Sequence, residues 1–384
     1  MGEIKPGWQK WRFDQIAHSV TDRVDDPSKA GVEHYIGLEH LDSDSLKIRR
    51  WGSPDDVSAT KLLFEPGDII FGRRRAYQRK LGVAKFRGIA SAHSLVLRAK
   101  PSVALPEFLP FFMQSDLFMD LAQRISVGSL SPTINWKTLA KQEFALPPLE
   151  EQHRLVGLLQ SSSQVVDAQH DAAKSARQIC RALGKEFFIS NTESTNCTIA
   201  EVGTVRNGTT PRRARHEYWN GDIPWLPTGK VNDRVISVAD EYISAKALKE
   251  CSLSMIPAGS TLIAMIGQGK TRGMAARLTI DATINQNFAS VTPGPEVDPM
   301  FLFYQLEAKY EALRYWSQGT NQQALNCRLV SEFPFWRPSM TRQLEIRDVL
   351  SEAEQAFNAA EVRLAMARSQ QQRRLADSLY GVVP

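Results

Sequence analysis

The longest regular hydrophobic pattern in the chain follows Pro147 and Pro148. From Leu155 onward, Leu159, Val166, Ala173, Ala176, Cys180, Leu183 and Phe187 recur at alternating steps of three and four, interrupted only by Ser162 and Gln169. That spacing is a coiled-coil seam. The two prolines close an extended segment, and Glu150 and Glu151 then suit the positive end of a helix dipole, so the pattern predicts one helix running to about Phe188. A helix of about 40 residues is roughly 60 Å long. With a single apolar seam it needs a partner.

The partner is predicted within the same chain. Gly128 and Gly319, Asn135 and Asn326, Phe144 and Phe335, Pro147 and Pro338, and Gln152 and Gln343 are each separated by 191 residues. The same offset carries Leu155 to Ile346, Leu159 to Leu350 and Val166 to Phe357. A second long helix is therefore expected from about Arg342 to Tyr380. Gln371 and Arg374 fall on its projected seam, so pairing should weaken or shift register there.

Upstream the repeat is looser but keeps its order. WRFDQIA parallels CTIAEVG, HYIGLEHL parallels IPWLPTGKV, and FEPGDIIFGR parallels MIPAGSTLIAMIG. These short β-branched and aromatic runs ending in Gly or Pro read as strand and turn. FLPFFMQS and MFLFYQLEA read as short helices. The expected class is α+β: two tandem mixed α/β domains, 1–147 and 191–338, separated by long helices at 148–190 and 339–384. If the helices pair as an antiparallel coiled coil, the domains lie at opposite ends of a rod with pseudo-two-fold symmetry. Duplex DNA, with a turn of about 34 Å, has matching symmetry and scale.

Composition adds few constraints. Of 384 residues, 47 are Lys or Arg and 42 are Asp or Glu, a net charge of +5, so a nucleic-acid surface must be a local patch. Cys180, Cys197, Cys251 and Cys327 form no CxxC pair and meet no histidine cluster of zinc spacing, which predicts a reduced compartment and no metal site. No apolar run approaches the roughly 18 residues a membrane span requires. A cytoplasmic protein without membrane association is expected.

Candidate chemistry lies in loops. Residues 72–88, GRRRAYQRKLGVAKFRG, hold Arg73, Arg74, Arg75, Tyr77, Arg79, Lys80, Lys85 and Arg87 with no acidic residue. Such a loop can approach phosphates and present guanidinium forks to guanine edges. It can equally be a solvated hairpin whose arginines lie over a sheet. Its counterpart, GQGKTRGMAARL from Gly267, is again glycine-rich and basic through Lys270, Arg272 and Arg277. A third basic stretch carries Arg206, Arg212, Arg213 and Arg215 ahead of Trp219 and Trp225, which read as packing anchors. ISVGSLSPTINW and WSQGTNQQALNC form a repeated pair of turn-rich segments whose donors suit phosphates or a plain turn.

Catalytic constellations are missing. AMIGQGKT at 264–271 satisfies a relaxed phosphate-loop pattern, but Gly273 falls where a helix should be established and Asp281 comes too soon to end a separate strand. A phosphate-loop nucleotide-binding enzyme is thus the weaker alternative. No methyltransferase motif is present, and Glu307 with Lys309 reads as a surface ion pair.

With its tandem domains, the helix start PPLEEQHRLVGLL, the looser repeat RPSMTRQLEIRDVL and the segment GSLSPTIN, the chain resembles the specificity subunit of type I restriction-modification systems over essentially its full length. The resemblance implies a non-catalytic subunit that reads a bipartite double-stranded DNA target with two target-recognition domains. It implies helices that dock two methylation subunits, with restriction subunits joining the complex. S-adenosylmethionine, ATP and Mg would sit on those partners, and no cofactor on this chain. A similar recognition subunit of another restriction or phage-defence system is the nearby alternative. Carried over by position, the DNA-contact residues would be Arg73, Arg74, Arg75, Tyr77 and Lys80 in the first half. In the second they would be Arg212, Arg213, Lys230, Gln268, Lys270 and Arg272. Gln152, Leu155, Leu159 and Val166, with Gln343, Ile346, Leu350 and Phe357, would form the spacer and partner-docking helices. Arg337-Pro338-Ser339-Met340 replaces PPLE in the second copy, so docking there can differ in detail.

Overall fold

The computed structural model describes residues 4–190, 197–267, 269–316 and 324–380. Its two compact units are not successive stretches. The first comprises Met1–His170 with Val362–Pro384, and the second Asp171–Glu361. Each long helix, Leu149–Lys185 and Met340–Leu379, therefore begins in one unit and ends in the other.

The first unit contains β1 (Gln9–Arg12), β2 (Ala17–Val20), β3 (Arg23–Val24), β4 (Tyr35–Ile36), β5 (Lys61–Phe64), β6 (Ile69–Gly72), β7 (Leu81–Val83), β8 (Gly88–Ala90), β9 (Ser94–Ala99) and β10 (Glu143–Leu146). Strand β1 pairs with β10, and the others form sheets of order β2-β9-β6-β7 and β3-β5-β8-β4. Between β1 and β2, Phe13–Ile16 makes one helical turn where sequence predicted only strand and turn. Alternate residues of the central strands face two cores. Ile69, Phe71, Leu95 and Leu97 pack against Phe112, Phe118 and Phe144, while Ile70 and Val96 join Ile36, Leu41 and Phe64.

The second unit contains β11 (Cys197–Thr198), β12 (Gly203–Asn207), β13 (Ile223–Leu226), β14 (Val235–Ile236), β15 (Glu241–Ile243), β16 (Thr261–Ala264), β17 (Ala275–Leu278), β18 (Thr283–Ile284), β19 (Phe288–Pro293) and β20 (Pro334–Phe335). Its main sheet, β12-β19-β16-β17-β14, repeats the order of the first with one strand added, and β11 pairs with β20 as β1 does with β10. The expected short helices are Leu109–Gln114 in the first unit and Pro299–Ala308 in the second.

The long helices are fixed to both units by the same device. Gln152 is fully buried; its Nε2 donates to Val103 O and Pro147 O at 2.9 Å, and its Oε1 accepts from Leu105 N at 2.9 Å. Gln343 is also fully buried, with Nε2 donating to Glu296 O and Pro338 O at 3.0 Å and Oε1 accepting from Asp298 N at 2.9 Å. Each amide satisfies three backbone groups that burial would otherwise leave unpaired.

Helix pairing is antiparallel in each unit. In the first, Leu155 and Leu159 share a core with Leu375 and Leu379. In the second, Arg177 pairs with Glu361 at 3.4 Å and lies over Phe357, while Leu183 and Phe187 pack in the core that holds Ile346 and Leu350. The expected irregularity is present. Gln371 is buried, but the seam then steps by four to Leu375 and Leu379 and leaves Arg374 exposed, so register shifts by one residue and apolar contact continues.

Candidate nucleic-acid interface

In the first unit the basic loop leaves β6 at Gly72 and returns in β7. Arg75 and Arg79 both adopt left-handed backbone conformations, with φ of 58° and 52°, and bracket a 3-10 turn at Ala76–Gln78. Two such residues so close together carry a conformational cost that surrounding contacts must offset. Arg79 supplies them: its guanidinium binds Asp44 at 2.6 Å, Asp116 at 2.9 Å and Gln114 O at 2.6 Å. Ala76 plugs into the core and Tyr77 projects outward. Arg79 is thus a structural anchor, a role its place in a basic run did not reveal.

The segment GSLSPTIN meets this loop. Val127 and Thr133 exchange backbone hydrogen bonds to form a hairpin, with Gly128 at φ 118°. Arg75 N donates to Pro132 O at 2.8 Å, and Ile134 N to Arg73 O at 2.9 Å. The second unit repeats the junction, since Leu325 N donates to Met265 O at 3.0 Å just after β16. Gly319 and residues 317–323 lie outside the described residues.

The remaining candidates divide by what their side chains already bind. Arg73, Arg74 and Arg75 have no side-chain ion pair or hydrogen bond among the described residues, and Arg73 Nε is buried without a partner. Tyr77, Arg212 and Lys270 are exposed. Lys80 Nζ instead donates to Leu38 O at 2.7 Å. Lys230 is 8% exposed and held by Asp233 at 2.6 Å and Asp240 at 3.2 Å; the hydrogen bond to Asp233 raises its pKa against the effect of burial. Arg213 pairs with Glu241 and stacks over Trp219 and Trp225 at 3.8 and 4.9 Å, so those tryptophans are the packing anchors the sequence suggested. Lys80, Arg213 and Lys230 therefore brace their loops. Arg272 is half-buried, and Gln268 lies outside the described residues.

The phosphate-loop reading fails on geometry. After Ala264 the chain turns and returns antiparallel in β17, so no helix follows Lys270 and Thr271. Gly273, at φ 85°, lies so close to the backbone of Arg314 that a Cβ there would meet its nitrogen at 2.9 Å. The loop is held by Tyr310, whose hydroxyl donates to Lys270 O at 2.7 Å.

Glu307 corrects another expectation. It pairs with Arg234, not Lys309, and Arg234 also pairs with Glu354 of the second long helix. Burial opposes charge on Arg234, but the two carboxylates overcome it and hold its pKa up. Burial and the hydrogen bond to Glu354 at 2.6 Å raise the Tyr304 phenol, while for Glu354 the bonds from Tyr304 and Arg234 outweigh burial and lower its pKa. In the first unit the brace is Arg49 with Asp167 of the first long helix, and Gln372 Nε2 donating to Asp44 at 3.3 Å.

Of the helix residues assigned to spacing and docking, Gln152, Leu155, Leu159, Val166, Gln343, Ile346 and Leu350 are buried and Phe357 is half-buried. The buried ones build the helix pair, and Phe357 keeps part of its side chain at the surface. The helix surface left open carries Leu149 and Leu158 in the first unit and Met340 and Val349 in the second, again separated by 191 residues. Among the described residues, no helix is long and apolar enough to cross a membrane, and all four cysteines are free.

Residues 33–170 and 191–363 match the family model of the type I restriction modification DNA specificity domain. The chain is 33% identical over 158 residues to the type I restriction enzyme MjaIX specificity subunit of Methanocaldococcus jannaschii, a match covering 40% of this chain and 36% of that relative. It thus spans about a third of the length of the curated relatives it matches. Its fold is shared with a chain from a solved type I R-M system assembly, at 19% identity and a TM-score of 0.62, covering 99% of this chain and 100% of that one. It is shared also with the type I restriction-modification S subunit from M. genitalium, at 12% identity and a TM-score of 0.60, covering 99% and 98%. The chain belongs to the type I restriction-modification DNA specificity family, the family of the non-catalytic specificity subunits.

Proposed function

We propose that this chain reads a two-part sequence in double-stranded DNA, one part with each globular domain (1–147 and 191–338). The long helices (148–190 and 339–384) set the gap between the parts. They dock two methylation subunits, through which restriction subunits join, and those partners hold S-adenosylmethionine, ATP and Mg. The observation that carries this reading is the repeated junction. In both units the loop after the central strand is joined by a backbone hydrogen bond to the turn-rich segment ahead of the last strand, Ile134 N to Arg73 O and Leu325 N to Met265 O. In the first unit that junction backs the Arg73–Arg75 stretch, and in the second Tyr310 holds the backbone of Lys270 and Arg314 that of Arg272. Cations on a fixed loop position a duplex through its phosphates, and a minority of their contacts read bases. The repeated outward residues, Leu149 with Leu158 and Met340 with Val349, suit a partner of the same kind on each unit.

Lys270 separates positioning from reading. As a phosphate contact, its replacement in Lys270→Ala weakens duplex binding uniformly across sequences and flattens the dependence of log K on log salt by about 0.9. Titrations at several salt concentrations measure both quantities. An unchanged affinity and slope would remove Lys270 from the interface.

A further inference from the structure

Leu130 is 93% exposed, more than any other large hydrophobic residue among the described ones, and Val127 on the same hairpin is 71% exposed. Neither is a frayed tail. Thr133 and Val127 exchange backbone hydrogen bonds at 2.9 and 3.1 Å, Ser126 Oγ donates to Ala122 O at 2.8 Å, and Pro132 O accepts from Arg75 N at 2.8 Å. The hairpin is therefore built onto the loop that carries Arg73, Arg74 and Arg75. Arg73 and Arg74, half-buried, and Arg75, exposed, have no side-chain ion pair or hydrogen bond among the described residues, so an anionic occupant of the hairpin would meet cations that no carboxylate neutralises. A leucine on a short rigid tip, flanked by Ser129 and Ser131 and beside arginines, fits an occupant that is apolar inside and anionic outside. A DNA duplex has that chemistry: stacked bases edged by phosphates.

We propose that Leu130 is a wedge that enters the DNA between two base pairs in or beside the first half-site while the adjacent arginines hold the flanking phosphates. This rests on the DNA-reading function proposed above and adds a way of choosing sequence that needs no base-edge hydrogen bond. The gain from burying one leucine is of the same order as the cost of opening one base step. Net binding then depends on how easily the step unstacks, so the wedge favours a pyrimidine–purine step at one fixed position.

The test uses the full chain with the subunits that co-purify with it, on duplexes carrying its selected site with 2-aminopurine placed singly along the first half-site. With the wild-type chain, one position brightens on binding. Leu130→Ala abolishes that signal and weakens binding about tenfold, with the salt slope unchanged because no phosphate contact is lost. Leu130→Met restores both. The wedge is overturned if Leu130→Ala keeps wild-type affinity and the same fluorescence profile, or if it reduces co-purification of the other subunits while leaving the DNA signal intact. In either case the wild-type chain still selects its site, which distinguishes failure of the wedge from failure of the DNA-reading function, where no duplex site is selected at all.

Discussion

Gln152→Leu is expected to destabilise the first unit by about 3 kcal/mol or more, since an unpaired buried polar group costs about 1–3 kcal/mol and three are created together. Leucine fills the space but leaves Val103 O, Pro147 O and Leu105 N without partners in a site where Gln152 is fully buried. The loss exceeds that of an ordinary surface substitution because the three groups lie on the segment that starts the first long helix. Hydrogen exchange gives the direct measurement: the Leu105 amide, protected in the wild type, becomes fast-exchanging, and the urea midpoint of the first unit falls. Gln343→Leu should reproduce the effect at Asp298 N in the second unit. Wild-type protection at Leu105 in the Gln152→Leu chain would show that this amide does not hold the helix.

The second large effect is on binding. Replacing Arg73, Arg74 and Arg75 together by alanine is expected to weaken duplex affinity by about 10²–10³ near physiological salt, with the log–log salt slope reduced by as much as about 2.7, or 0.9 for each phosphate released. Their side chains make no hydrogen bond or ion pair among the described residues, so the substitution removes charge without breaking either. Arg79→Ala is the contrasting case. It cuts the loop from Asp44, Asp116 and Gln114 and should lower thermal stability as well. If the triple variant kept its affinity and slope, these arginines would not face DNA.

How far the sequence carried these conclusions depends on the range of the interactions involved. The long helices were legible because a seam of steps of three and four is local, and the offset of 191 residues exposed their relation. The same offset marked Gln152 and Gln343 but not their task, since two of each amide's three partners lie in loops 45 to 49 residues upstream. Charge runs were misleading for a related reason. Lys80 and Arg213 look like their neighbours in sequence, yet each is held by a group that only the fold brings near, while Lys230 is held by the nearby Asp233 and by Asp240. Arg79 finds Asp44 across 35 residues, and Glu307 finds Arg234 in preference to Lys309 two positions away. The union of GRRRAYQRK with GSLSPTIN, which builds the candidate interface, is a non-local backbone pairing that leaves no periodic trace. By contrast, the positions of Gly273 and Asp281 already argued against the phosphate-loop pattern, and the antiparallel return in β17 bears that out.

The central claim, that two domains of one chain read two parts of one DNA sequence, is tested most directly by binding-site selection. The full chain, co-purified with its partner subunits, is presented with a pool of random duplexes and the retained sequences are aligned. The account predicts two short motifs separated by a gap of constant length. A single contiguous motif, or no enrichment over the starting pool, would contradict it.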